Sequence, residues 1–101
     1  MSRRPTNRDE IVIRCEGVFD VPAARRLEAR IANAASGEAL RVDLTHVREF
    51  HDFGIAVLAQ ALKNQRAARI ALRGLRHHQA RMLRYFGVEP SRFGIEAAGH
   101  A

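Results

Sequence analysis

Three stretches of alternating residues, each followed by a segment of helical periodicity, constrain the fold of this chain more than any other feature. In Glu10 to Cys15, Leu40 to Leu44 and Arg69 to Arg73, every second residue is apolar, and the positions between them carry the charged residues together with Val12 and Ala71. Alternation of this kind predicts strands with one buried face. The order strand, helix, strand, helix, strand, helix predicts βαβ units and a mostly parallel sheet. Right-handed crossovers then place the helices mainly on one face of that sheet.

The segments after the strands predict three to four helices in an α/β domain. The three clearest are expected at about residues 21–35, 53–65 and 77–86. Asp20 is a candidate N-cap, with Pro22 in the first turn, and Ser36-Gly37 is a stop signal after the helix. A polar connection is expected at 45–51. The last apolar residues, Phe93 and Ile95, predict either a fourth short strand or a packing segment.

The bulk properties predict one folded domain, at residues 10–97, between a flexible arm at 1–9 and a tail at 98–101. Apolar residues make up 47% of 101 positions, enough for a single core. No run of consecutive apolar residues approaches the length of a membrane-spanning helix, and no apolar segment of the kind found in secretory signals follows the basic N-terminus. The single cysteine, Cys15, is in phase with the apolar face of its strand. We therefore expect a cytoplasmic protein in a reducing compartment, without membrane insertion.

The formal net charge of +6 raises nucleic acid as a possible partner. The arginines, however, are scattered along the chain, and aromatic residues do not alternate with them as they do in single-strand binders. The polar strand face is expected to carry Arg14, Arg41, Asp43, Arg69 and Arg73. A basic nucleic-acid-binding protein therefore stays as a weaker alternative.

The motifs of enzymes are missing, which predicts a protein without catalytic residues, cofactor or metal. There is no glycine-rich phosphate loop and no nucleophile elbow. The histidines match no zinc spacing. Asp43 and Asp52 flank the connection between a strand and a helix, where two carboxylates can bind a cation or act as acid and base. The simpler interpretation makes Asp43 a strand-face residue and Asp52 an N-cap.

Three segments, in this order, resemble one known family. Residues 17–20, Gly-Val-Phe-Asp, look like a strand exit of the pattern G-x-hydrophobic-D. Residues 42–45, followed by 54–58, look like the central D-L-S…D-S-S-G-L segment. Residues 83–87 look like the LxxxG that ends a later helix. On these residues the chain resembles, over about residues 10–97, the STAS domain, the anti-sigma-factor antagonist fold shared with sulfate-transporter tails.

This resemblance implies a protein-binding module. Similar proteins bind an anti-sigma factor that is also a serine kinase, and phosphorylation of a serine at the start of the second helix switches the binding off. Aligned on Gly54, this chain has His51-Asp52-Phe53-Gly54 in place of D-S-S-G. Asp52 thus occupies the regulatory, phosphorylatable position. It carries a fixed charge of about −1, where phosphoserine carries about −1.5 to −2.

Two partner hypotheses follow from the resemblance. In the first, the chain binds a kinase-type anti-sigma factor and takes part in transcription regulation, with Asp52 as a fixed phosphomimetic. In the alternative, it is a STAS subunit of a lipid or ion transport complex and binds an ATPase or transporter subunit. Phe53 favours the alternative if it is an exposed anchor, whereas it can also pack in the core. A homodimer is left open. The expected partner-binding residues are Asp20, Thr45, His46, His51, Asp52, Phe53 and Gly54.

Overall fold

Four parallel strands form one sheet in the order in which they occur along the chain. The computed structural model describes residues 10–34, 37–65, 69–93 and 96–97. The elements are β1 (Glu10–Phe19), α1 (Val21–Ala32), β2 (Ala39–Phe50), α2 (Asp52–Asn64), β3 (Arg69–Leu75), α3 (His77–Tyr85), a 3-10 turn (Pro90–Phe93) and β4 (Glu96–Ala97). The predicted α/β architecture is confirmed. The predicted arm and tail, Ser36 and Ile95 lie outside the described residues.

The core lies between the helices and one face of the sheet, as the alternation predicts. Along β2, the side chains of Leu40, Val42 and Leu44 are buried, while those between them face outward. The opposite face is open and charged, with four arginines exposed and Asp43 half-buried. Helix α2 buries Ile55 and the rest of its apolar stripe against this core. Burial of the stripe is the main stabilising contribution of the helix, because a helix of this length is marginal alone.

Strands β1 and β2 extend well beyond their predicted ends. Pairing between them continues to Phe19 and Phe50, through two register shifts. At each shift β2 contains one more residue than β1, so the extra residues are accommodated as bulges. The predicted polar connection at 45–51 is therefore wrong, since only His51 separates β2 from α2. Gly17 has a φ of 75° inside β1 and does not terminate the strand.

The helix termini differ from the prediction by a few residues, and one difference concerns the candidate site. Asp52 is the first residue of α2, and His51 occupies the N-cap position without a side-chain capping bond. The interpretation of Asp52 as an N-cap is therefore wrong. Helix α1 ends at Ala32, and Asn33 provides its C-cap. Strand β3 passes through Gly74, whose φ of 96° and close approach to β2 leave no space for a side chain.

Candidate functional site

The exit of β1 and the start of α2 are packed against each other, and this packing builds the candidate site. Asp20 caps α1 as predicted, since its Oδ1 accepts a hydrogen bond from the Ala23 amide at 3.0 Å. The His51 amide donates to the carbonyl oxygen of Phe19 at 3.0 Å. A Cβ on Gly54 would lie 2.7 Å from that same oxygen. Glycine at 54 therefore allows α2 to approach the Asp20 loop closely.

The two residues at the start of α2 both face solvent. The side chain of Asp52 is 72% exposed, and Phe53 is 78% exposed. The alternative in which Phe53 packs in the core is thus not realised. The Nε2 of His78, from the first turn of α3, lies 3.9 Å from Asp52 Oδ1. The Nε2 of His51 lies 3.2 Å from Glu49 Oε2. Each contact becomes an ion pair when its imidazole is protonated.

Phe53 borders a shallow groove between α1 and α2. The groove has a volume of about 380 Å³ and is lined by residues of both helices, namely Val21, Arg25, Glu28, Phe53, Ala56, Val57 and Gln60. At its rim, Arg25 Nη1 lies 3.3 Å from Glu28 Oε1. The surface therefore combines an apolar floor, one exposed aromatic ring and a charged edge. For a contact with another protein, this is the usual arrangement of an apolar centre and a polar rim.

Thr45 and His46, which were predicted for the same surface, lie elsewhere. They are exposed residues in the middle of β2, six and five positions before His51. In an extended strand this corresponds to a separation of roughly 17–20 Å. Of the seven predicted partner-binding residues, the structure thus brings together Asp20, His51, Asp52, Phe53 and Gly54.

Asp43 belongs to the open face of the sheet and not to the start of α2. Its Oδ1 accepts hydrogen bonds from the hydroxyl and the amide of Thr45. These bonds, the hydroxyl first, hold the pKa of the Asp43 carboxyl below its ordinary value. Asp52 lies nine positions further along the chain, past most of β2. The two carboxylates therefore do not form the acid–base or cation site that their sequence positions suggested.

His78 is the site residue that sequence reasoning missed. In the sequence, the pair His77-His78 suggests at most a metal site, and its spacing matches no zinc pattern. The useful signal lay in the topology, because α2 and α3 each follow the carboxyl end of a parallel strand, so that both helices start at the same end of the sheet. Within the described ranges, no three His, Cys, Asp or Glu side chains are grouped in a way that could hold a metal ion. Among the same residues, no helix has the length and apolar character needed to cross a membrane.

Comparison with known proteins gives one family and one similar structure. The family model described as "Mlab, STAS domain" matches residues 2–92. The chain is also similar to the STAS domain of a SulP transporter from Vibrio cholerae, with a TM-score of 0.59 and 19% sequence identity. That match covers 90% of this chain and 76% of the other. No curated protein matches the chain.

Proposed function

Since the chain belongs to the STAS domain family, we propose that it is a small, non-catalytic module that binds another protein through the start of α2. The observation that carries this proposal is the exposure of Phe53 beside Asp52. An aromatic side chain left in water at a helix start has a large apolar area to bury. Aromatic residues also supply a large share of the binding free energy at protein interfaces. The conclusion is that Phe53 is the anchor of the interface.

The surroundings of Phe53 support this role. Val21 and Val57 are partly buried beside it and extend the apolar area. Asp52 on one side and the Arg25–Glu28 pair on another surround this area with charge. A partner that covers Phe53 would desolvate the apolar centre and leave the charges at the solvated rim, where they set orientation and association rate.

The partner we propose is an ATPase or another subunit of a lipid or ion transport complex. Three observations support this choice. Asp52 cannot accept a phosphate from a serine kinase, so the regulatory chemistry of the sigma-factor system is missing at that position. Phe53 replaces the small serine of the resembling motif and is exposed. The similar solved structure is the STAS domain of a SulP transporter.

A kinase-type anti-sigma factor is the second candidate partner, and Asp52 is the observation that favours it. Its carboxylate is exposed at the first position of α2, where the resembling proteins place a phosphoserine. Negative charge at that place is stabilised by the helix end by about 0.3–1 kcal/mol. Under this hypothesis the chain would have a fixed affinity for its partner, because its charge is permanent.

Affinity purification from the native cells, followed by identification of bound proteins, tests both candidates. The informative variant is Phe53→Arg, and the matched control is Tyr85→Arg, since Tyr85 is an aromatic residue with 87% exposure in α3. Tyr85 is the last residue of α3, whereas His78 beside the candidate site is at the start of that helix. The next residue, Phe86, accepts a hydrogen bond at its carbonyl oxygen from Lys63, near the end of α2. We expect wild type and Tyr85→Arg to retain a transporter ATPase, and Phe53→Arg to lose it.

The same experiment has outcomes that contradict the proposal. Equal recovery of the partner by wild type and Phe53→Arg would show that the start of α2 is not the interface. Recovery of an anti-sigma kinase alone would select the second candidate. In that case, Asp52→Ser incubated with the recovered kinase and ATP should become phosphorylated. An unmodified Asp52→Ser would count against descent from the sigma-factor switch.

A further inference from the structure

Strand β1 is the edge of the sheet in the part of the chain that the structure describes. It pairs with β2 on one side, and no described strand pairs with its other side. With ten residues it is long for an edge strand. Its outward-facing side chains include two exposed valines, Val12 at 56% and Val18 at 38%. A long edge with exposed apolar residues is a template for pairing with another strand.

The sequence of this edge is complementary to itself. On the open face, β1 presents Val12, Arg14, Glu16 and Val18 in order. If a second copy pairs antiparallel about Cys15, Val12 lies opposite Val18 and Arg14 lies opposite Glu16. Opposite charges and β-branched pairs directly across two strands are both stabilising. We propose that two copies of this chain associate in this register, so that two four-stranded sheets form one continuous sheet.

Neighbouring registers do not have this complementarity. If one strand slides by two residues in one direction, Arg14 lies opposite Arg14 of the second copy. If it slides by two residues in the other direction, Glu16 lies opposite Glu16 of the second copy. Like charges directly opposite each other are destabilising. Registers that pair an even-numbered residue of one copy with an odd-numbered residue of the other would place the helix-covered face of one copy beside the open face of the other. The register centred on Cys15 is therefore selected by charge as well as by apolar contact.

The charges on the open face of the sheet agree with this register. Across the sheet, Arg14 is the neighbour of Asp43, and Asp43 is the neighbour of Arg73. Glu16 is the neighbour of His46. In the dimer, the row Arg73, Asp43, Arg14 would continue with Glu16 of the second copy, so that the sign alternates at each strand. The second copy thus supplies the acidic neighbour that the outer side of Arg14 is positioned to receive.

The helix-covered side of the edge is not completely filled by α1. A groove of about 370 Å³ lies between β1 and α1, with Ile13, Cys15 and Leu27 among its lining residues. In the proposed register, Ile13 lies opposite Gly17 of the second copy, where the space around the missing side chain is open. Cys15 lies opposite itself. Directly opposed residues have Cα atoms about 4.5–5.5 Å apart, within the range of about 4.4–6.8 Å that a disulfide spans.

Charge reversal combined with sedimentation velocity tests the proposal. Wild type should dimerise as its concentration rises. Arg14→Glu and Glu16→Arg should each weaken dimerisation by roughly tenfold or more, because each change makes both symmetry-related charge pairs repulsive. The two variants mixed in equal amounts should form a heterodimer, and the double variant should dimerise like wild type. Circular dichroism checks that each variant is folded.

The thiol of Cys15 reports the register in the same samples. Oxidised glutathione, which is reduced to two glutathione thiols as two Cys15 thiols join, should give a disulfide-linked dimer for wild type and the double variant, and much less of it for each single variant. A wild-type chain that stays monomeric at its highest soluble concentration would overturn the proposal. So would a dimer that Arg14→Glu and Glu16→Arg leave unchanged, or a yield of disulfide-linked dimer that is the same for wild type and both single variants, because these results would place the interface elsewhere.

Discussion

At the scale of single residues, Asp20 and Asp52 both stand at helix starts, but only one of them caps its helix. Asp20 accepts a hydrogen bond from the Ala23 amide, whereas the side chain of Asp52 points into solvent. We expect Asp20→Ala to lower the free energy of unfolding by about 1 kcal/mol. Asp52→Ala should cost about 0.3–1 kcal/mol at low salt and close to nothing at high salt, because its interaction with the helix end is screened. Urea unfolding at two salt concentrations measures both effects. If Asp52→Ala lowers the free energy of unfolding equally at low and high salt, its contribution is not the screened interaction with the helix end.

Gly54 shows a residue-level constraint that no local sequence pattern reveals. Alanine is the better helix former by about 1 kcal/mol, so propensity alone predicts that Gly54→Ala stabilises α2. The added Cβ, however, would lie 2.7 Å from the carbonyl oxygen of Phe19, a backbone atom that cannot swing away. We expect a net loss of about 1–3 kcal/mol in the free energy of unfolding, as overpacked sites show. Ala56→Gly, in the same helix and partly buried, is the control and should cost about 1 kcal/mol from propensity alone. A stabilised Gly54→Ala would show that the Asp20 loop can move away.

The carboxyl of Asp43 should titrate below its ordinary range because Thr45 donates two hydrogen bonds to it. The folded pKa is thus lower than the unfolded pKa of about 3.9. The contribution to stability is therefore present above that value and is lost as the pH falls through the folded pKa. Thr45→Val removes the hydroxyl donor and should raise the titration midpoint of Asp43, followed by NMR of its carboxyl carbon. An unchanged midpoint would mean that the hydroxyl contributes nothing to the pKa.

At the scale of elements, the sequence predicts which elements exist better than where they end. Alternation placed all three long strands, because a half-buried sheet face imposes a period of two. The ends of β1 and β2 were missed because two bulges interrupt the pairing between them, and a bulge depends on the neighbouring strand. The length of β2 also decides the site. Since the strand continues to Phe50, Thr45 and His46 are removed from the start of α2.

Helix α2 presents one face to the core and another to the proposed partner, and two substitutions separate these roles. Leu58 is 1% exposed, so Leu58→Ala should lower the free energy of unfolding by about 2–5 kcal/mol. Phe53 is 78% exposed, so Phe53→Ala should change it by less than about 0.5 kcal/mol. In the affinity purification described above, Phe53→Ala should lose the partner although its fold is intact. A strongly destabilised Phe53→Ala would show that the ring packs against the protein, as the core interpretation assumed.

At the scale of the whole molecule, the site is a consequence of topology. The sequence identified Asp20, Asp52 and Phe53 one by one, since each belongs to a recognisable local segment. Because the strands are parallel, the β1 exit and the starts of α2 and α3 all lie at the carboxyl end of the sheet. His78 is found only at this scale, because it lies 26 positions after Asp52 in the chain.

The single core also makes a prediction for unfolding. The groove side of β1 and the buried faces of α1 and α2 belong to one hydrophobic cluster, with Cys15 packed against it. Burial raises the pKa of the Cys15 thiol, so its thiolate is scarce and its alkylation slow while the protein is folded. In a two-state transition at fixed protein concentration, pulse alkylation of Cys15 and far-UV circular dichroism should therefore give the same midpoint in urea. If β1 separated from the sheet before the helices unfolded, the alkylation midpoint would lie at a lower urea concentration than the circular dichroism midpoint. The domain would then contain more than one cooperative unit.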